Sequence, residues 1–152
     1  MESTRDIATQ TVSRILGDAA FIFTDALTRE ARPSPEEWEA EGISLKFIGQ
    51  PSGEVRMWVG SDFACIAAAN MLGIDTGSEE AKQKGIDALK ELLNMVVGNF
   101  MTAAYGEQPV FTLGLPQKLP RERLASDFND SDAVWLEAEG SPVMFLVKIA
   151  SE

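Results

Sequence analysis

Histidine is absent from this 152-residue chain, and cysteine occurs once, at Cys65. Without an imidazole there is no Ser-His-Asp or Cys-His nucleophile pair and no histidine-ligated zinc, and one thiol cannot build a thiolate cage. A lone cysteine also excludes an intramolecular disulfide and suits a reducing compartment; in its apolar surroundings Cys65 reads as a small buried hydrophobe. Positive charge is scarce. Thirteen Lys and Arg stand against 24 Asp and Glu, a formal charge of −11, which argues against a nucleic-acid partner because a phosphate backbone needs clustered cations. No GxxxxGK[ST] or GxGxxG run is present, so a nucleotide cradled on a helix N-terminus has no sequence support. No stretch reaches the ~18 apolar residues of a membrane span, and the first ten residues lack the basic start and apolar run of a signal peptide. A soluble cytoplasmic protein with no membrane partner is expected.

Residues 127–132 begin like a calcium loop. Asp132 occupies the sixth position, where glycine is needed for the turn, and Ala138 the twelfth, where a glutamate should close the site. An acidic turn leading into a strand accounts for them better.

What the chain does contain is 45% apolar residues, enough for one domain over residues 1–152 with a sizeable core. Apolar positions Ile7, Val12, Ile15, Leu16, Ala19, Ala20, Phe23 and Leu27 predict a helix over 6–29. Ser34, Pro35 and Glu37 suggest a short helical turn through Trp38. Alternating residues 43–48 and 54–59 flank a Pro-Ser-Gly turn and predict a hairpin. Ser61 can cap a helix that Gly73 ends, and Thr76 with Glu79 forms a capping box for a long helix over about 78–105, stopped by Gly106 and Pro109. Residues 109–115, 133–138 and 143–149 read as strands. Trp38, Trp58 and Trp135 are expected in packing, and Met95 and Met101 as core or rim filler.

The long helix carries the most informative pattern. Asp87, Glu91 and Asn94 lie within about 60° of one another on a helical wheel, and Gly98 continues the row. Ile86, Leu89, Leu93, Val96, Val97 and Phe100 occupy the other side, so the helix can bury one face and present carboxylates and an amide on the other. A solvated face would explain the carboxylates, with Lys84 and Lys90 nearby. It would not explain Asn94 and Gly98, since both are poor helix formers where Glu, Lys or Ala would serve better. A loose internal repeat sets Gly17 and Asp18 against Gly98 and Asn99, with Ser13 opposite Asn94 and Gln10 opposite Glu91, making the first helix a degenerate copy.

Asp87-x3-Glu91-x2-Asn94, followed by Gly98-Asn99 and a later proline, resembles the CheC, CheX and FliY family of chemotaxis phosphatases. In that family an [Asp/Ser]-x3-Glu-x2-Asn helix is followed about 22 residues on by proline; here Pro116 stands 22 residues on from Asn94, with 21 between. Only one complete motif is present, so the chain resembles CheX more closely than the two-site CheC pattern. The resemblance implies an α+β fold, a CheC/CheX-like two-layer sandwich in which an antiparallel sheet of five or six strands packs against long helices. It also implies a phosphatase acting on the aspartyl phosphate of a CheY-type response regulator. Asn94 would position the attacking water and Glu91 would dock to the lysine of the regulator's active site, with Asp87, Gly98 and Pro116 at the docking edge. No cofactor is expected in this chain, and magnesium would be carried by the regulator. A homodimer formed by strand pairing is also implied, and an exposed strand over 143–149 would be available for it. The alternative is a non-catalytic module that binds a response regulator or dimerises within a signalling complex.

Overall fold

The computed structural model describes residues 3–150. Helix α1 (Thr4–Ala20) opens on a full capping box, in which Ser3 Oγ accepts from the Asp6 N–H and the Asp6 carboxylate accepts from the Ser3 N–H. It ends well before the expected residue 29. Phe21 takes a left-handed φ of 55°, and the N–H groups of Phe21 and Ile22 both donate to the Leu16 carbonyl. Asn70 from another helix then donates to the Ala20 carbonyl at 2.8 Å. The apolar rhythm through Phe23 and Leu27 is therefore not helical: Phe23 is 79% exposed, and β1 (Thr24–Ala26) starts there.

After a 3-10 turn at Arg29–Ala31 and the expected turn at Ser34, whose carbonyl accepts from the Trp38 N–H, β2 (Ala40–Ile48) and β3 (Gly53–Gly60) form the predicted hairpin. Helix α2 (Ser61–Leu72) follows. Gly60 is its N-cap, so Ser61 is the first helical residue and not the cap, and Gly73 ends it in the left-handed conformation expected. The long helix α3 (Glu79–Tyr105) is capped by Ser78, whose Oγ accepts from the Ala81 N–H at 3.2 Å; Thr76 is not the cap.

The single strand expected over 109–115 is broken into β4 (Thr112–Leu113) and β5 (Gln117–Lys118). Pro116 lies between them and has no N–H to continue a ladder. A short helix α4 (Leu124–Phe128) was not expected, whereas the acidic turn after it leads into β6 (Val134–Ala138) as predicted, followed by β7 (Ser141–Ile149). The sheet has seven strands in the order β1-β6-β7-β3-β2-β4, with β5 also on β2, and every pairing is antiparallel. The 143–149 segment is thus no exposed edge. β7 is paired on both sides, by β3 along one edge and β6 along the other, and β1 rather than β7 ends the sheet beyond β6.

Strand alternation sorts two cores. Ile43, Leu45, Phe47, Val55, Met57, Val59, Val143 and Phe145 face α1, α2 and α3, all essentially buried. Trp58, Trp135, Met144 and Leu146 point to the other side, where Trp38, Leu119 and Leu124 from the connecting segments cover them. The fold is α+β, an antiparallel sheet against long helices, as the resemblance implied, with seven strands where five or six were expected because the segment over 109–118 forms two short strands and β1 adds another. No helix among the described residues is long and apolar enough to cross a membrane.

Candidate functional site

Helix α3 owes its rigidity to the face that it hides. Ala88, Leu89, Leu92, Leu93, Val96, Val97, Phe100 and Met101 are buried against α1, α2 and β2. Close approach to α2 depends on Gly85, where an added Cβ would stand 3.1 Å from the Ala64 Cβ. At about 25 cal/mol per Å2 of apolar surface removed from water, this burial fixes the rotation of α3 about its axis.

That rotation puts Asp87, Glu91 and Asn94 at the surface, all three exposed, with Gly98 half-buried at the end of the row. None of the three polar side chains has a hydrogen bond or ion pair among the described residues. The ion pair on this helix is Lys82–Glu79, at 3.6 Å in its first turn. The contrast with Asn99 is informative: its amide donates to the Met95 carbonyl at 2.8 Å and accepts from Arg14 at 3.3 Å, so it is committed to the helix pair. Asn94 is committed to nothing. At Gly98 an added Cβ would meet no atom within 4 Å, so packing inside the chain does not require glycine there.

The structure brings Asp87, Glu91, Asn94 and Gly98 onto one face. Pro116 lies half-buried in the link between β4 and β5, the two short strands that pair with β2. In the suggested repeat, α1 does pack against α3, yet Ser13 is bonded to Thr24 Oγ1 and is not a free counterpart of Asn94. Cys65 is half-buried on α2, less hidden than expected. Among the described residues no group of acidic or thiol side chains could hold a metal ion. Asp127, the first residue of the supposed calcium loop, is 2% exposed and bound to Arg56 and Trp58. Sequence reasoning singled out neither this buried network nor the arginines at the start of α1 and in the β1–β2 connection, because the residues they meet lie tens of positions away along the chain.

A family model described as chemotaxis phosphatase CheX matches residues 42–137. No curated protein sequence matches the chain. Among solved structures, a CheX–CheY–BeF3–Mg+2 complex from Borrelia burgdorferi aligns with a TM-score of 0.69 at 18% identity, covering 98% of this chain and 99% of that one. The chemotaxis protein CheX from Desulfovibrio desulfuricans gives 0.65 at 15% identity over 95% and 99%. FliY from Thermotoga maritima gives 0.50 at 15% identity over 97% and 84%. At these identities the likeness is one of fold.

Proposed function

The chain belongs to the CheX family of chemotaxis phosphatases, and from that premise we propose that it hydrolyses the aspartyl phosphate of a CheY-type response regulator with the exposed row on α3. An aspartyl phosphate is an activated acyl phosphate, and its hydrolysis passes through a loose transition state in which the attacking water needs positioning more than deprotonation. An amide can hold such a water in line. Asn94 has the right chemistry, is exposed, and has no competing partner in its own chain. Glu91, one turn earlier, offers a carboxylate that can pair with the lysine of the regulator's active site and set the register of Asn94. Asp87 extends the docking edge, and Gly98 lets the partner's backbone approach. Pro116 contributes from the separate β4–β5 loop.

The observation that carries this reading is the unpartnered Asp87-Glu91-Asn94 row on a helix whose opposite face is locked into the core. The B. burgdorferi structure, a complex of CheX with CheY, BeF3 and Mg+2, supports a CheY-type partner and magnesium belonging to the regulator's side. The reading includes a single domain, a cytoplasmic location and a homodimer. With β7 internal, strand pairing between copies would use β1 or the β4–β5 side of β2.

The test is the decay of a phosphorylated CheY-type regulator with wild type, Asn94→Ala and Glu91→Ala, alongside binding of each to the regulator. Accelerated decay is expected with wild type, lost in Asn94→Ala although binding persists, and lost together with tight binding in Glu91→Ala. Unchanged decay despite binding would leave a regulator-binding module and overturn the catalytic assignment.

A further inference from the structure

The start of α1, the β1–β2 connection and the α4–β6 loop line an open-sided cavity of about 580 Å3. Arg5, Arg29 and Arg32 all line it, in a chain with 24 acidic against 13 basic residues. None of the three arginines forms an ion pair among the described residues. Arg5 Nη1 donates to the Ser131 carbonyl at 2.5 Å, tying the helix to the loop. The Arg32 guanidinium lies over the Trp135 ring, 5.1 Å from its centroid, and its Nε is buried with no hydrogen-bond partner. Asp130 also lines the cavity, but its carboxylate is engaged by Lys148 at 2.9 Å. Burial, then the charges of Arg29 and Arg5, hold the Arg32 pKa below its ordinary value, with Glu30 acting the other way. Three arginines gathered around one cavity, where the lining carboxylate is already engaged by a lysine, favour the entry of something negative.

We propose that this cavity binds a phosphate-bearing small molecule of nucleotide size. Guanidinium forks match phosphate oxygens two at a time, and an orphaned buried N–H gains a partner when an anion arrives. The volume lies within the roughly 300–1,000 Å3 range of small-molecule sites and far exceeds what a bare phosphate fills. Asn129 and Ser34 can serve hydroxyl groups, while Phe128 supplies an apolar wall. The cavity is separate from the α3 row: Arg5 shares a neighbouring cavity with Tyr105, which lies about 16 Å along the helix from Asn94 at the usual rise per residue.

Calorimetric titration of the full chain with ATP, AMP, inorganic phosphate and citrate tests this, with Arg29→Ala, Arg32→Lys and Asn94→Ala variants in parallel and a melting curve for each. Binding of ATP or AMP is expected, weakened about tenfold or more in Arg29→Ala and Arg32→Lys without loss of folding, and unchanged in Asn94→Ala. Citrate binding as tight as the phosphate compounds would overturn the phosphate assignment, and inorganic phosphate as tight as ATP would overturn the nucleotide size. No binding at millimolar ligand, or binding indifferent to Arg29→Ala, would overturn the site.

Discussion

Arg56 on β3 donates from Nη1 to Asp127 Oδ1 at 2.6 Å, with the two side chains 14% and 3% exposed, and Trp58 Nε1 donates to the second carboxylate oxygen at 2.9 Å. Glu54 adds a further bond to Arg56 Nε at 3.0 Å. Burial alone would lower the Arg56 pKa; the hydrogen bonds and charges of Glu54 and Asp127 outweigh it and hold the guanidinium above its ordinary value. This network pins α4 to the sheet face that α1, α2 and α3 do not cover.

Removing one partner of such a pair strands the other. Asp127→Ala leaves Arg56 Nη1 and a buried indole N–H without their acceptor, while Glu54 still pairs with the guanidinium, and is expected to cost about 3 kcal/mol of stability. Asp127→Asn keeps an acceptor for Trp58 and is expected to cost less. Urea denaturation of both variants checks the order.

Gly98 separates folding from docking. Because a Cβ there meets nothing in the chain, Gly98→Ala is expected to stabilise α3 by about 1 kcal/mol through helix propensity. Gly98→Trp is expected to leave the melting temperature near wild type while weakening regulator binding, since on the proposed docking its bulk would stand where a partner's backbone approaches. Equal binding by Gly98→Trp, measured by titration against the regulator, would remove Gly98 from the docking surface.

Trp58 and Gly42 show how closely the hairpin is fitted. They are register partners, and a Cβ at Gly42 would lie 2.6 Å from the Trp58 ring. The ring therefore occupies the space of the missing side chain, and Gly42→Ala must displace it together with its bond to Asp127. A loss of about 1–3 kcal/mol is expected, read as a lower denaturation midpoint and a changed tryptophan fluorescence.

The parts legible in the sequence were those set by local chemistry. The rotation of α3 follows from its own apolar spacing, and the β2–β3 hairpin and the Gly73 cap follow from residues within a few positions. The end of α1 did not, because Phe21 is held left-handed by Ile22 burying into the core and by Asn70 reaching across from α2. β1, β4 and β5 are two or three residues long, too short for a period to register. Ser78 displaced Thr76 as cap because hydroxyls two residues apart compete for one role, and only the chain path through Asp75 decides between them. The arginine cavity was invisible for a similar reason: Arg5, Arg29 and Ser131 meet only after the sheet has formed.

Lys148 on β7 illustrates how pH should enter. It binds Asp130 at 2.9 Å and Asp132 at 3.5 Å, joining the α4–β6 loop to the sheet. The hydrogen bond from Lys148, with the backbone N–H of Asp132, holds the Asp130 pKa below its ordinary value of 3.8, and the bond to Asp130 holds the Lys148 pKa above 10.5. A depressed carboxyl contributes stability above its unfolded pKa and loses it as pH falls through the folded value; a raised ammonium contributes below its unfolded pKa and loses it as pH rises through the folded value. The pair therefore stabilises across the neutral range and fades at both extremes. Partial exposure and salt screening keep the contribution small. In Lys148→Met the acid and alkaline limbs of the stability–pH curve are expected to flatten relative to wild type, most visibly at low ionic strength. Thermal melts at pH 3, 7 and 11 read this directly, and a variant curve parallel to wild type would show that the pair contributes nothing that titrates.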